Sequence, residues 1–191
     1  MGGKWSLGTA ALHRKIGSAW HLKGESQMPY SLEEMADRLE INDTLIRYVH
    51  GLDDQQVDVL DTVFLQDCMF DLTSAGAMKA PWSEVKLFFA KMHLTHTRDM
   101  HFFGMSRITF RDAARTEADV RSKVINPMGA LDKDGVERFF QIHGTYDDVF
   151  IRTPDGWRIR QRTWNMGWIS GDCPYDSDVG AARMKIAEQA G

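Results

Sequence analysis

The stretch TRDMHFFGMSRITF (residues 97–110) sets His101 at the mouth of a segment with strand character, among methionines and phenylalanines. A neutral imidazole beside such neighbours needs a hydrogen-bond partner if it is buried. It is either a satisfied core histidine or a proton-transfer group held in a pocket, and one residue alone does not choose between them. Four more polar side chains stand where regular structure could turn them inward: Tyr48, Asp53, His143 and Asn165. Together they are the ingredients of metal-free acid–base chemistry, with hydrogen-bond donors for a developing oxyanion. Each also has a plainer reading. Asp53, with Gln56 three residues on, suits a helix cap. Tyr48 on a helical stripe suits core packing, His143 a strand surface and Asn165 a turn. His50, and His93 and His96 in HLTHT, read as structural or exposed, because two histidines three apart do not make a zinc motif.

The elements that must position these residues follow from periodicity. Residues 1–30 read as a separate arm, with GTAALHRKIGSAWHL a short helix and KGESQMP a linker. The domain then runs over residues 31–169. Ser31 followed by Glu34 is a capping-box signature, and Leu39, Ile41, Leu45, Ile46, Val49 and Leu52 keep a helical stripe up to Gly51. DDQQVDVLDTVF begins a second short helix, 67–74 reads as a strand, and 80–96 as a helix opened by Pro81. Strands are expected over about 99–111, 116–126, 136–152 and 156–168, with TPDG (153–156) a hairpin turn. Residues 170–191 read as a tail of loop and short helix.

Helices followed by a run of antiparallel strands give an α+β domain. So long a meander curls, and a curved antiparallel sheet closed by the N-terminal helices makes a cone with an apolar cavity. By alternation Asn165 shares a face with Trp157 and Ile159, opposite Arg158, Arg160 and Arg162. The 136–152 strand is apolar on both faces, Phe139, Val149 and Ile151 on one, Phe140, Ile142 and Phe150 on the other. One face can line the hollow; the other needs cover, which points to a homo-oligomer.

Composition narrows the function classes. The 191 residues are 43% hydrophobic and 26% charged, with a formal net charge of −4 and a pI near 6.0. That balance argues against nucleic acid or an anionic membrane as main partner. Cys68 and Cys173 lack a CxxC partner, so neither zinc nor a disulfide framework is indicated. No apolar run reaches spanning length, and a cytoplasmic location is expected. The opening MGGKWS fits an N-myristoylation pattern; it is read as a chance match or appended remnant.

The order helix, YVHGLDDQQVDVLDTVFLQDCMFD, helix, MHFFGMSRITF, then GTYDDVFIRTPDGWRIRQR resembles the SnoaL-like branch of the nuclear-transport-factor-2-like cone fold over about residues 31–168. Within it the pattern is similar to that of scytalone dehydratase and hexachlorocyclohexane dehydrochlorinase. The resemblance implies an Asp53–His101 dyad acting as general base, with His143, Asn165 and Tyr48 as donors to the oxyanion or leaving group. Tyr48 stands one turn before the family's tyrosine position, which is Leu52 here. The implied activity is a cofactor-independent lyase on a small aromatic, phenolic or polyketide-like substrate. Elimination of water is favoured, loss of a small carbon fragment is the close variant, and neither uses a metal or other cofactor. Phe103, Met105 and Trp157 are expected to wall the substrate site, with Arg121 and Lys123 supplying positive charge. A trimer is the oligomer favoured, a dimer second. The rivals are an isomerase or polyketide cyclase with the same dyad, and a non-catalytic cone serving as a binding or structural subunit.

Overall fold

The computed structural model describes residues 29–174; the expected arm helix and tail helix fall outside them. The chain divides into two units, Met1–Ser31 and Leu32–Gly191, and the second holds every element below. Helix α1 (Leu32–Asp53) buries Asp37, Ile41, Thr44, Leu45, Tyr48, Gly51 and Leu52, a spacing of threes and fours that makes one face. Leu39 and Ile46 of the expected stripe are exposed instead. The helix ends where Gln55 turns left-handed (φ 58) and the Gln56 N–H closes on the Gly51 carbonyl at 2.8 Å. A 3-10 turn (Val57–Thr62) stands in place of the expected short helix.

Strand β1 (Phe64–Asp71), short β2 (Lys79–Pro81) and helix α2 (Trp82–Met92) follow. The remaining strands are β3 (His96–Asp99), β4 (Phe102–Phe110), β5 (Glu117–Leu131), β6 (Glu137–Thr153) and β7 (Gly156–Gly171). They form one curved seven-stranded sheet in the order β2-β1-β7-β6-β5-β3, with β4 also pairing β5. Every pairing is antiparallel except β1 with β7, which is parallel. The hairpin at 153–156 forms as expected, with Gly156 at φ 101 and the Thr153 hydroxyl donating to the Gly156 carbonyl at 2.7 Å. Helix α2 is shorter than 80–96 because residues from His96 onward join the sheet edge against β5. No helix among the described residues is long and apolar enough to cross a membrane.

The inward register of β5 and β6 is regular. Ala118, Val120, Ser122, Val124, Asn126 and Met128 are buried on β5, and Phe140, Ile142, Tyr146, Asp148 and Phe150 on β6. Strand β7 breaks its register twice. Phe150 pairs with Ile159 while Val149 pairs with Gln161, leaving Arg160 as an extra residue; His143 pairs with Trp168 while Gly144 pairs with Met166, leaving Gly167 extra. Each bulge exchanges the two faces of the strand beyond it. Trp157 and Ile159 therefore point inward, then Arg162 and Trp164, then Ile169.

Below the concave face lies a mainly aromatic core: Phe64, Phe70, Trp82 and Phe89 have ring centroids 4.7–6.2 Å apart. Such edge and stacked pairs stabilise by about 0.5–1.5 kcal/mol each beyond their area. At the start of α1, buried Asp37 accepts from Arg115 Nε at 2.7 Å, Trp157 Nε1 at 3.1 Å, and Arg152. Burial pushes its carboxyl up, but the bonds from Arg115 and Trp157 and the charge of Arg152 hold it below the usual carboxylate range.

Candidate active site

Asp53 is the last residue of α1, and its carboxylate does not cap the following turn. It reaches into the gap between β3 and β4, where Oδ2 accepts the His101 backbone N–H at 2.7 Å and Oδ1 lies 2.5 Å from His101 Nδ1. The Met100 N–H bonds the Pro127 carbonyl at 3.1 Å, so the His101 N–H, next along the chain, faces away from β5 and meets the carboxylate instead. The histidine is thus tied to α1 by main chain and side chain at once, and both side chains are largely buried.

The imidazole borders a cavity of about 70 Å³ lined by α1, α2, the Leu72–Ala77 segment and the concave sheet. Its walls are mostly apolar, with Leu52, Phe88, Met92, Val124, Ile142 and Trp164 among them. A few polar groups converge on it. Tyr48 and Tyr146 join their hydroxyls at 3.2 Å, and the Tyr48 ring stands edge-on to His101 at 6.0 Å between centroids. Asn126 lies 2.9 Å from His101 Nε2. His93 and Asp99 complete the wall.

Behind the tyrosines lies a buried ion pair. Arg162 donates from Nε and Nη2 to the two oxygens of Asp148, both at 2.8 Å, and both side chains are 0% exposed. Its guanidinium lies 4.1 Å from the Tyr48 ring centre and 4.2 Å from that of Tyr146, fixing both rings by cation–π contact. Burial works against the charge, but Asp148 beside it keeps Arg162 firmly protonated. Burial, and next the neighbouring Tyr146, raise the Tyr48 phenol well above its ordinary value while Arg162 opposes, so Tyr48 stays a hydrogen-bond donor. Burial lowers His93, chiefly, and leaves that ring neutral near neutral pH. His96 is not exposed either: its Nδ1 pairs with Asp99 at 2.9 Å with both side chains buried.

The structure brings Asp53, His101 and Tyr48 together. Phe103 packs on the Tyr48 and Tyr146 rings at 5.6 Å without lining the cavity, and the remaining expected site residues lie away from it. The Arg160 bulge turns Asn165 to the outer face, where its amide donates to Asp147 at 2.9 Å, and turns Arg162 inward, away from Arg158 and Arg160. His143 has odd parity on β6 and stacks on Trp168 on the outer face, 4.5 Å between ring centres. Arg121 and Lys123 have odd parity on β5; both are exposed, and Arg121 pairs with Asp147 at 2.7 Å. Met105 is 92% exposed because a bulge at φ 50 throws it off the inward register of β4. Trp157 is a core residue beside Asp37, with no side of the cavity to line.

Tyr146, Asn126, His93 and Asp99 were missed by sequence reasoning. Tyr146 and Asn126 did carry a signal, since both fall on the even, mostly apolar register of their strands. Among the described residues no group of three or more His, Cys, Asp or Glu side chains gathers as a metal-ligand set.

Comparison with known proteins gives the chain its family. Residues 33–163 match the model of the SnoaL-like domain. An uncharacterized protein of Mycobacterium tuberculosis strain H37Rv is 30% identical over 135 residues, 69% of this chain and 86% of that protein. A scytalone dehydratase-like protein of Novosphingobium aromaticivorans superposes with a TM-score of 0.64 at 18% identity, covering 73% of this chain and 90% of that one. The type 3 hexachlorocyclohexane dehydrochlorinase of Novosphingobium barchaimii does so with a TM-score of 0.64 at 15% identity, covering 75% and 95%. At such identities the solved structures share the cone fold and no more. With its family model covering most of the sequence, the chain belongs to the SnoaL-like domain family.

Proposed function

We propose that this protein is a cofactor-independent lyase that moves a proton with the Asp53–His101 dyad on a small, largely apolar aromatic or phenolic substrate. Elimination of water is the favoured reaction, and loss of a small carbon fragment needs the same parts. One observation carries the reading. A histidine locked by a carboxylate at 2.5 Å opens onto a mainly apolar cavity whose other walls offer the Tyr48 and Tyr146 hydroxyls. The carboxylate fixes the ring's orientation and balances the imidazolium. The tyrosine pair, backed by Arg162 and with the Tyr48 phenol held protonated, donates to an oxygen that gains negative charge. Apolar walls suit an aromatic ring and strengthen each of these contacts by excluding water.

Proton transfer of this kind accelerates by about 10²–10⁴-fold. The test is turnover of small aromatic alcohols and hydroxyketones, followed by absorbance, with native mass spectrometry to identify any co-purified ligand. Folded His101→Ala is expected to lose turnover, and Asp53→Asn to lose about as much. A folded His101→Ala with wild-type kcat sinks the reading.

We also propose a homo-oligomer, the trimer favoured by the family resemblance. The outer face of the sheet supports this, with Phe139 56% and Trp168 63% exposed and Ile125 beside them on β5.

A further inference from the structure

Asn126 decides what His101 can do first. Its amide is buried between two kinds of neighbour. On one side stand the backbone carbonyl oxygens of Met100, at 3.2 Å, and Pro127, at 3.3 Å; on the other stands His101 Nε2, at 2.9 Å. A carbonyl oxygen only accepts, so the amide NH₂ must face Met100 and Pro127. Turned the other way, the amide oxygen would face two carbonyl oxygens with no hydrogen between them. The side-chain oxygen therefore faces Nε2, and an amide oxygen also only accepts.

Nδ1 is a donor for the same kind of reason. It faces Oδ1 of Asp53, whose other oxygen already accepts the His101 main-chain N–H. Two donating ring nitrogens make an imidazolium. We infer that Asn126 is a positioning residue that keeps a proton on His101 Nε2, so that the resting dyad is an ion pair and enters the reaction as an acid.

The other groups that face the ring agree with this charge. Tyr48 from α1 is a neutral phenol, and Tyr146 from β6 shares a hydrogen bond with it at 3.2 Å. His93 from α2, lowered chiefly by burial, brings no second positive charge, and Asp99 is engaged by His96. Asp53 is the counterion.

The chemical consequence rests on the lyase reading above. In loss of water from an H–C–C–OH unit, the imidazolium passes its Nε2 proton to the hydroxyl as the C–O bond breaks, and the C–O electron pair leaves with oxygen as water. The neutral imidazole then takes the proton from the adjacent carbon, whose C–H electrons close the double bond. One proton leaves the ring and one returns, so no oxidant, metal or second base is needed. The substrate class is a hydroxyl leaving group on a carbon that an aromatic ring can relieve of positive charge. A halide, which departs without a proton, gains nothing from Asn126.

The test reads the ring and not the reaction. Long-range ¹H–¹⁵N correlation spectra of labelled protein are recorded at about pH 7.5, a full unit above the ~6.5 of an ordinary histidine. His101→Gln identifies the His101 signals. Both ring nitrogens are expected to show the protonated signature in wild type, to keep it in Asn126→Asp, and to lose it at Nε2 in Asn126→Leu. An unprotonated Nε2 in wild type overturns the inference, as does an imidazolium that survives in folded Asn126→Leu. Should Asn126→Leu fail to fold, the wild-type and Asn126→Asp spectra decide alone. An imidazolium in a protein inert to every aromatic alcohol would sink the lyase reading and uphold the role of Asn126; turnover by a protein with neutral Nε2 would do the reverse.

Discussion

Asp148→Asn should be among the most damaging single substitutions in this chain, although Asp148 never touches the cavity. Both it and Arg162 are fully removed from solvent, joined by two hydrogen bonds of 2.8 Å. At about 4 Å between charge centres and an effective dielectric near 20, their attraction is about 4 kcal/mol. The amide keeps the shape and one acceptor but leaves the guanidinium uncompensated, a change that typically costs about 3–5 kcal/mol. In a domain of this size each kcal/mol moves Tm by roughly 2–4 °C, so a fall of about 6–20 °C follows. Replacing both partners, Asp148→Leu with Arg162→Met, removes the stranded charge and should recover most of the loss. The assay is urea denaturation followed by circular dichroism on Asp148→Asn and on Asp148→Leu, Arg162→Met and their double variant, the last three closed as a cycle with wild type. A loss below about 1 kcal/mol for Asp148→Asn, or a double variant no better than the single, refutes the reasoning.

Acid stability should depend on Asp37. Its folded carboxyl sits below the usual range, so its contribution is whole above the unfolded value of about 3.9 and is lost as pH falls through the folded value. Asp37→Asn should lower Tm at neutral pH and flatten its decline below about pH 4; an unchanged profile argues against it. Gly144→Ala should destabilise by about 1–3 kcal/mol, since a Cβ there meets the Asn165 carbonyl and the Trp164 ring at 2.6 Å; thermal melts check it. His143→Ala and Asn165→Ala should leave kcat within about twofold of wild type, because both face outward, whereas Tyr48→Phe should cost up to roughly 2.7–4 kcal/mol in the barrier if its hydroxyl serves as a well-placed oxyanion donor. Light scattering should give a multiple of the chain mass, and a monomer at micromolar concentration would refute the oligomer.

How far the sequence discloses this molecule depends on whether a feature is periodic. Helix α1, the three long strands and the TPDG turn follow from repeats of 3.6 and 2 and from turn chemistry, and they appear as expected. Asp53 and His101 were legible because family order fixed both ends of a contact made across 48 residues. Asn165 and Arg162 were misplaced because alternation was carried unbroken along β7, and nothing in RIRQR marks where one residue drops out of register. Asp148 offered the missing clue: an acid in the inward register of β6 requires a buried cation across from it, and Arg162, its partner in the ladder, is the residue that supplies it.

The extra residue at Arg160 also makes β7 unequally tolerant of changes in its length. Arg160 opposes no residue of β6, so deleting it would make Ile159 and Gln161 ordinary neighbours on opposite faces and leave Arg162 and Trp164 pointing inward. Deleting Thr163 instead, with the bulge kept, would turn Trp164 toward solvent and Asn165 toward the hollow. For anyone redesigning this cavity, 160 and 167 are therefore the places where β7 can be shortened by one residue without exchanging its faces, whereas a gap elsewhere in the strand reverses the interior beyond it. Two relatives that differ by one such gap would carry nearly the same letters and, depending on where it falls, the same interior or the opposite one.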